Sequence, residues 1–304
     1  MIAWIIYNRE AADYNRQYIQ YYIEEGSKLD IEVKLILVEE LEFGVKESRW
    51  FLAYRRQEVV SPDFVICRSI YPLLSKQLEL MGIRVFNNSF VSEVCNDKAK
   101  TYQYLVKTGI KMVDSTFIRN QQVKEILSDI QKPTVIKAVD GHGGSQVFLV
   151  GGQAKEIVLE EGVKERVVNT EEIFRNIEEG LGSSDVVVQP LTGSRYQDMR
   201  VYVIGNEIVA AVLRTARDGF KSNFSLGGEV CIYHLSEKEK DIVHRIIDQF
   251  EFGLVGIDFI IGDEGELIFN EIEDVVGSRM LYQCLEINIV ELYLKFIVNE
   301  LSNE

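Results

Sequence analysis

Residues 255–274 read VGIDFIIGDEGELIFNEIED, in which two apolar runs flank a turn rich in glycine. This pattern around Gly262–Gly265 predicts a β-hairpin. Because side chains alternate between the two faces of a strand, Glu271 and Glu273 share one face, and pairing across the turn brings Asp258 beside them. We therefore expect three carboxylates to converge on one side of this hairpin.

The converging carboxylates are a candidate metal site. Without a cation they would repel one another, and hard oxygen ligands at this spacing suit Mg²⁺, which is commonly shared with nucleotide phosphates. The alternative is a set of solvated charges on an exposed sheet face, since most carboxylates are exposed. The apolar residues interleaved with them favour the metal site: Phe259, Ile260, Ile268, Phe269 and Ile272.

A glycine-rich turn follows another apolar strand, in residues 135–145, which read VIKAVDGHGGS. Glycines let backbone N–H groups approach phosphate oxygens closely, and Lys137 supplies a positive charge from the strand. The stretch has neither the Gly-Lys-Ser/Thr of a P-loop nor a G-x-G-x-x-G fingerprint. A plain glycine hairpin is the alternative. His142 is expected to be a turn residue that contacts ligand or solvent, and not a catalytic base.

Two further segments contain residue types that nucleotide sites use. Residues 186–191 read VVVQPL, a strand that lacks a donor at Pro190 and can leave backbone groups available to an adenine edge. Further along, cations and an amide flank a glycine-bearing loop, as a transferring phosphoryl group requires. A solvated basic loop is the alternative. The residues concerned are Arg200, Arg214, Arg217, Lys221 and Asn223.

The order of strands and helices indicates three lobes. Up to about residue 90, apolar runs alternate with helical segments, a βαβα pattern that implies a parallel sheet covered by helices. Asn96 is then predicted to cap a helix that has Lys98 in its first turn and stops at Gly109. The predicted strands are 2–7, 31–38, 63–67, 83–86, 134–138, 146–150 and 186–189, with hairpins at 200–214 and 256–272. The predicted helices are 15–25, 72–81, one ending near 179, one opened by the capping box of Ser236 and Glu239, and 288–301.

These elements predict an α/β fold with three domains. An N-terminal α/β domain covers residues 1–92, a small central α+β lobe covers residues 93–185, and a larger C-terminal α+β lobe with the carboxylates covers residues 186–304. Residues 61–75 are expected to help shape a substrate pocket.

Composition narrows the function further. The 304 residues carry a formal net charge of −15, which argues against binding a nucleic-acid backbone, because that affinity depends on clustered lysine and arginine. The opening MIAWIIYN is too short for a signal peptide, and no stretch approaches the roughly 20 apolar residues of a membrane span. We expect a cytoplasmic protein that binds neither membrane nor nucleic acid. The four cysteines form no CxxC pair and are expected to be reduced: Cys67, Cys95, Cys231 and Cys284.

Taken in order, these motifs resemble the ATP-grasp superfamily, most closely its RimK-like amino-acid ligases, with glutathione synthetases more distant. The resemblance runs over about residues 90–285 and implies an ATP-grasp fold, in which an N-terminal Rossmann-like lobe precedes two α+β lobes clasping ATP. The motifs are DK at 97–98, VIK at 135–137, GHGGS at 141–145, VVVQPL at 186–191, DMRVYVIGNEIVAAVLR at 198–214, KSN at 221–223, GG at 227–228, and Asp258 followed by Glu271-x-Glu273.

The resemblance also implies a role for each motif. The lysines and the glycine turn would contact the nucleotide phosphates. The strand that ends at residues 189–191 would contact the adenine, and Asp198 would contact the ribose or the adjacent substrate. Two arginines would steady the acyl-phosphate, the loop after them would contact triphosphate and substrate, and the carboxylates would bind metal. The implied nucleotide contacts are Lys98, Lys137, Gly141, His142, Gly143, Gly144, Ser145, Gln189, Pro190, Leu191 and Asp198; the implied catalytic residues are Arg200, Arg214, Lys221 and Asn223; the implied metal ligands are Asp258, Glu271 and Glu273.

Two departures from the family pattern concern the metal site and the segment after it. The last metal position is usually asparagine in this family and is Glu273 here, which adds a negative charge that can alter metal number or affinity. The family often continues with a small-residue Pro-Gly turn, whereas residues 274–280 read DVVGSRM. Arg279 is a candidate for binding a substrate carboxylate, because a planar guanidinium binds it bidentately; an ordinary surface arginine is the alternative.

The implied activity is ATP-dependent ligation of a carboxylate to an amine, which forms an amide through an acyl-phosphate and releases ADP and phosphate. The implied cofactors are ATP and one or two Mg²⁺ ions, which Mn²⁺ can replace. The substrates would be small-molecule carboxylates and amines such as an amino acid and a peptide, and a homodimer is the default expectation. The competing hypotheses are an ATP-binding sensor or scaffold that has lost ligation, and a phosphotransferase with the same lobes.

Overall fold

The computed structural model describes residues 1–144, 146–151, 156–158, 164–166, 170–216 and 229–303. Three larger sheets of four or five strands organise these residues, and each is built from one continuous part of the chain. The predicted α/β fold class is therefore confirmed.

The first part of the chain alternates strands and helices, as its apolar pattern predicts. Its elements are β1 (Ile2–Tyr7), α1 (Arg9–Tyr14), α2 (Arg16–Lys28), β2 (Glu32–Leu37), β3 (Leu41–Lys46), β4 (Arg49–Tyr54), β5 (Gln57–Glu58), β6 (Phe64–Cys67), α3 (Pro72–Leu80) and β7 (Arg84–Phe86). A parallel sheet forms from four of these strands in the order β2-β1-β6-β7. The buried strand β1 lies inside this sheet, which explains its nearly continuous apolar sequence.

An unpredicted antiparallel sheet interrupts this pattern. No strand is predicted between residues 38 and 63, yet β3, β4 and β5 pair there. The turn between β3 and β4 places Glu47 and Ser48 at φ angles of 51° and 60°. Because neither residue is glycine or asparagine, the usual sequence signal for such a turn is missing.

The middle part of the chain forms an antiparallel sheet flanked by helices. Its elements are α4 (Ser89–Cys95), α5 (Lys98–Leu105), β8 (Thr116–Ile118), α6 (Val123–Asp129), β9 (Thr134–Ala138), β10 (Val147–Val150), β11 (Glu156–Val158), β12 (Lys164–Arg166), α7 (Thr170–Leu181) and β13 (Val186–Pro190). Four strands pair in the order β10-β9-β13-β8, while β11 and β12 pair with each other.

The cap of helix α5 differs by one residue from the prediction. Asp97, and not Asn96, is the N-cap, and its carboxylate accepts a hydrogen bond from the Lys100 N–H at 3.0 Å. Asn96 instead ends α4 and donates its side-chain amide to Asp274 at 3.0 Å. Lys98 is the first residue of α5, so its predicted position in the first turn is confirmed.

The third part of the chain contains the five-stranded antiparallel sheet. Its elements are β14 (Gln197–Ile204), β15 (Glu207–Thr215), β16 (Glu229–Tyr233), α8 (Glu237–Ile247), β17 (Leu254–Ile261), β18 (Leu267–Glu273), α9 (Arg279–Cys284) and α10 (Ile289–Ser302). The strand order is β16-β15-β14-β17-β18. Both predicted hairpins are confirmed, as is the capping box in which Ser236 and Glu239 cap each other's backbone N–H groups.

Apolar clusters connect the third part of the chain to the other two. One apolar cluster joins Ile5 and Tyr7 of the first sheet to Tyr202 of the third sheet and to Tyr293 of helix α10. We propose a second domain boundary after Pro190, and not near residue 185, because β13 pairs within the middle sheet. Within the described residues, none of the helices has both the length and the apolarity that crossing a membrane requires.

Gly205 at the turn between β14 and β15 provides a test of how closely α10 packs on the third sheet. Its φ is +56°, and a Cβ there would clash with the Phe296 ring on α10. Gly205→Ala is expected to lower the free energy of unfolding by about 2–4 kcal/mol, because alanine is strained in the left-handed conformation and its methyl group would be forced against Phe296. Gly265→Ala, at φ +86° with open space around it, should cost only about 1 kcal/mol. Equal losses in urea unfolding would contradict this packing.

Candidate active site

A cavity of about 1170 Å³ lies where the three parts of the chain meet. Most of the residues predicted to bind ligand line it, although they come from distant parts of the sequence. These are Lys98, Lys137, Gly141, His142, Gly143, Gly144, Gln189, Pro190, Leu191, Asp198, Arg200, Arg214, Glu271, Glu273 and Arg279. Ser145, Lys221 and Asn223 lie outside the described residues, as do Arg217, Gly227 and Gly228.

The three predicted carboxylates converge at one wall of this cavity. Asp258 on β17 is directly opposite Glu271 on β18, and Glu273 is two residues further along the same strand. One oxygen from each of the three lies within 4.8 Å of the others. Asp258 is buried, while Glu271 and Glu273 are partly exposed to the cavity. Three oxygen donors at this spacing fit a hard divalent cation such as Mg²⁺.

Two buried arginines neutralise the deepest of these carboxylates. Arg200 donates from Nε and Nη2 to the two oxygens of Asp258, at 2.7 and 2.6 Å. Arg214 donates to the same carboxylate at 2.8 Å and also binds Asp198 through Nε and Nη2. Burial opposes ionisation of Asp258, but the two guanidiniums outweigh it and hold its pKa below the ordinary value. Asp258 is therefore ionised at neutral pH and accepts hydrogen bonds from both arginines.

Glu273 is held less firmly than Asp258. Arg200 Nη2 lies 2.7 Å from one Glu273 oxygen, so a single guanidinium bridges the two carboxylates. Burial raises the pKa of Glu273; the attraction of Arg200 lowers it, while repulsion from Asp258 and Glu271 adds to the rise. The net effect is a raised pKa, so Glu273 is the carboxylate of this group that most readily holds a proton.

Two lysines approach the carboxylates from the middle part of the chain. Lys98 at the start of α5 lies 3.2 Å from Glu271 and donates to the Gly141 carbonyl at 2.5 Å. Lys137 on the central strand β9 donates to the Asn270 side chain at 2.8 Å. Both ammonium groups are therefore close to the metal carboxylates and to the glycine turn.

The electrostatic environment of Lys137 is unusual for a lysine. Burial lowers its pKa to about 8, with Glu271 opposing this shift and Lys98 adding to it. Burial and the nearby Lys98 charge also lower the pKa of His142. Protonation of Lys137 and of His142 is therefore disfavoured until an anion binds nearby.

The glycine turn has the backbone that its sequence predicts. Gly143 and Gly144 have φ angles of 68° and 84°, a left-handed conformation that side chains other than glycine rarely adopt. The turn carries His142 into the same cavity. Because these glycines have no side chain, a phosphate can approach the turn closely.

The strand expected to face adenine makes hydrogen bonds within the protein. The Leu191 N–H donates to the Pro133 carbonyl at 3.0 Å. The Gln189 side chain is buried and donates to Tyr102 and Ser115 at 3.0 and 2.8 Å. Gln189 and Leu191 thus already have partners within the protein, and their contact with adenine stays a prediction.

Arg279 contacts the first part of the chain. Its guanidinium lies over the Tyr14 ring, 4.0 Å from the centroid, and donates to the Tyr14 hydroxyl and carbonyl. The residue is exposed at the cavity rim. A role in carboxylate binding stays a prediction for this residue.

Several cavity residues escaped the sequence prediction. Helix α2 supplies a tyrosine-rich wall that includes Tyr18 and Tyr21, Asn270 holds Lys137, and the buried Arg68 follows strand β6. A signal for Arg68 exists, because ligands often bind beyond the carboxyl ends of parallel strands, and Arg68 lies there within the predicted pocket segment 61–75.

Comparison with known proteins identifies the family of this chain. A family model described as a RimK-like ATP-grasp domain matches residues 95–297. A Mycoplasma genitalium protein named uncharacterized protein MG011 is 26% identical over 98% of this chain and 93% of its own length. A probable alpha-L-glutamate ligase of Legionella pneumophila is 27% identical over 73% of this chain and 69% of its own length.

Solved structures show the same fold at low sequence identity. A RimK domain ATP-grasp protein from Sphaerobacter thermophilus superposes with a TM-score of 0.68 at 14% identity, covering 98% of this chain and 100% of that one. The ATP-grasp ligase PsnB, complexed with a phosphomimetic variant of a minimal precursor, Mg and ADP, gives 0.61 at 16% identity, covering 98% and 97%.

Fold and site together define an ATP-grasp enzyme. The matched domain spans well over half of the residues, and the chain therefore belongs to the RimK-like ATP-grasp domain family. This confirms the predicted resemblance and the predicted enzyme class, an ATP-dependent ligase that forms C–N bonds.

The lowered pKa of Lys137 predicts pH-dependent nucleotide binding. A bound triphosphate favours the protonated lysine, so affinity for ATP should fall as pH rises through about 8. Between pH 7.5 and 9.5 we expect a loss of about tenfold, measured by isothermal titration calorimetry. Lys137→Arg, which stays charged throughout, should show a flat profile; the same slope in this variant would refute the assignment.

The raised pKa of Glu273 predicts the opposite pH dependence for Mg²⁺. A metal ligand must be deprotonated, so Mg²⁺ affinity should increase as pH rises through the Glu273 pKa. Glu273→Gln should bind Mg²⁺ about tenfold more weakly or worse and lose this pH dependence, because one ligand charge is gone. The exposed Glu237→Gln is the matched control. Unchanged Mg²⁺ calorimetry in Glu273→Gln would exclude it as a ligand.

Proposed function

We propose that the protein uses ATP and Mg²⁺ to join the carboxylate of one substrate to the amine of another. The observation that carries this proposal is the convergence, at one cavity wall, of three carboxylates, two guanidiniums and two lysines beside a glycine turn. Such a wall can position a triphosphate and neutralise charge during phosphoryl transfer, which is most of what this chemistry demands of a protein.

Each part of the wall has a proposed task. Lys98 and Lys137 bind the nucleotide phosphates, with the turn at residues 141–144 closing on them. Glu271 and Glu273 hold Mg²⁺ beside Asp258, whose two oxygens the arginines share. Bound Mg²⁺ would supply charge neutralisation for the phosphate oxygens. We also propose that Mn²⁺ can replace it, since carboxylate ligands suit both ions.

The proposed reaction has two steps. An oxygen of the substrate carboxylate attacks the γ-phosphorus of ATP, the bond to the β-phosphate oxygen breaks, and ADP leaves. The amine nitrogen then attacks the carbonyl carbon of the acyl-phosphate, phosphate leaves, and the amine loses a proton to solvent. Arg200 and Arg214 stabilise the negative charge that develops on the transferred phosphoryl group and on the tetrahedral carbon. Their carboxylate partners hold both guanidiniums in fixed positions before substrate arrives.

The substrate class we propose is amino acids and short peptides. Support comes from the relative named probable alpha-L-glutamate ligase, which matches over 73% of this chain. The wall formed by α2, α9 and the segment at 285–288 adds tyrosines and acidic groups beyond the phosphate site, which suits a polar, zwitterionic substrate. The homodimer and the cytoplasmic location stay predictions.

The test is an assay of ADP and phosphate release with Mg²⁺ across amino acids and short peptides. We expect substrate-stimulated ADP release with an amide product detected by mass spectrometry. Lys137→Ala and Glu271→Ala should lower the rate by about 100-fold or more, because each removes charge from the transfer site.

Exposed residues of the same types provide the controls for this assay. Lys76→Ala and Glu237→Ala should retain wild-type rates, since both side chains lie at the surface. ADP release with a phosphorylated product and no amide would favour the phosphotransferase. Tight ATP binding without turnover on any substrate pair would favour the sensor, and absence of ATP binding would exclude the proposed function.

A further inference from the structure

Arg68 is a buried arginine at the carboxyl end of β6 that the phosphate site does not use. It is 7% exposed and lines the same cavity, on the side formed by the first part of the chain. Strand β6 is an inner strand of the parallel sheet, so its end points toward the crevice where such folds bind ligands.

The contacts of Arg68 leave much of its guanidinium unused. Nε donates to the Tyr7 hydroxyl at 3.3 Å and Nη2 donates to the Val276 carbonyl at 2.8 Å. The guanidinium carbon lies 5.4 Å from the centroid of the Tyr18 ring. An arginine has five N–H donors, of which Arg68 uses the one on Nε and one on Nη2. Both donors on Nη1 and the second donor on Nη2 have no partner among the residues that the structure describes.

Arg68 also lacks the carboxylate partner that the other buried arginines have. Arg200 and Arg214 each pair with two carboxylates. Within the described part of the chain, no carboxylate forms an ion pair with Arg68. The charge of Asp274 acts on it from nearby, but the oxygens of that carboxylate accept from Asn87 and Asn96. A buried cation without a hydrogen-bonded counter-ion is costly, and an anionic ligand would remove that cost.

The position of Arg68 separates it from phosphoryl transfer. It binds the carbonyl of Val276, three residues beyond Glu273, and the Val276 side chain packs at Gly256 beside Arg200. Arg68 is thus one packing layer away from the proposed transfer site, where Lys98 and Lys137 are the cations proposed to bind phosphate. On the same wall, the Tyr18 hydroxyl and Ser278 Oγ lie 3.0 Å apart and offer further polar contacts.

We propose that Arg68 binds a substrate carboxylate that does not react, such as the α-carboxylate of an amino acid; this rests on the ligase function proposed above. A guanidinium can hold such a group through two parallel hydrogen bonds. The reacting carboxylate needs its lone pairs for attack on phosphorus, so a bidentate arginine suits a second carboxylate better. Arg68 then decides which end of the substrate points to the phosphate.

The experiment measures binding of the twenty L-amino acids and their α-carboxamides to protein saturated with Mg²⁺ and a non-hydrolysable ATP analogue. A thermal-shift screen selects the amino acids that bind, and calorimetry gives their Kd values. In the wild type, the acid should bind about 10–100-fold more tightly than its amide, as expected for a charged hydrogen bond. Arg68→Gln should weaken binding of the acid by about the same factor and leave the Kd of the amide unchanged.

Control variants separate this role from a structural one. Arg16 is an exposed arginine of α2 that pairs with Asp13, and Arg16→Gln should retain the wild-type difference between acid and amide. Arg68→Lys should retain part of it, because charge remains but the bidentate geometry is lost. If Arg68→Gln does not fold, Arg68→Lys and the wild-type comparison carry the test.

Three results would overturn the proposal: no amino acid binds the wild type, acid and amide bind equally, or Arg68→Gln weakens both equally. Binding of the ATP analogue is measured separately in each protein. Lost nucleotide binding or absent turnover counts against the ligase function. With nucleotide binding intact, a difference between acid and amide that is absent in the wild type, or that persists in Arg68→Gln, counts against Arg68 alone.

Discussion

The Asp258 carboxylate, held between the Arg200 and Arg214 guanidiniums, is the interaction on which the site depends. Arg200 is directly opposite Asp258 in the β14–β17 pair, and Asp198 is directly opposite Arg214 in the β14–β15 pair. These cross-strand ion pairs require that register, since a slip of one residue would turn each side chain to the other face of the sheet. Removing one partner would leave a buried charge unpaired, which is strongly destabilising.

The same network prepares the site for phosphoryl transfer. Both arginines are rigidly hydrogen-bonded, so their charge is in place before substrate binds, and little reorganisation is required. Arg200 also reaches Glu273, which limits repulsion among the carboxylates. From the middle part of the chain, Lys98 reaches Glu271 and Tyr102 donates to the Phe269 carbonyl, so helix α5 is fastened to strand β18. Lys98, proposed to bind nucleotide, and Glu271, proposed to bind metal, are thereby held at a fixed separation.

Much of this could be predicted where local pattern determines structure. The alternation in residues 255–274 led to the hairpin that aligns Asp258 with Glu271, and a strand ending in glycines led to Lys137 and the turn at 141–144. Prediction failed where a signal was missing or a distant segment intervened. The β3–β4 turn uses Glu47 and Ser48 in place of glycine, and the cap of α5 lies at Asp97, while Asn96 contacts Asp274 in a distant segment.

The sequence by itself determined the elements, their order, and the residue types at the metal and phosphate positions, because periodicity, caps and turn residues act over only a few positions. Only the tertiary structure decided the pairing of Asp258 with two arginines and the hydrogen bonds from Gln189 to Tyr102 and Ser115. It also decided that tyrosines of helix α2 line the cavity. Arg68 is the clearest case, since its contact with Val276 joins residues 208 positions apart. Such contacts depend on how sheets and helices pack, and no local pattern encodes them.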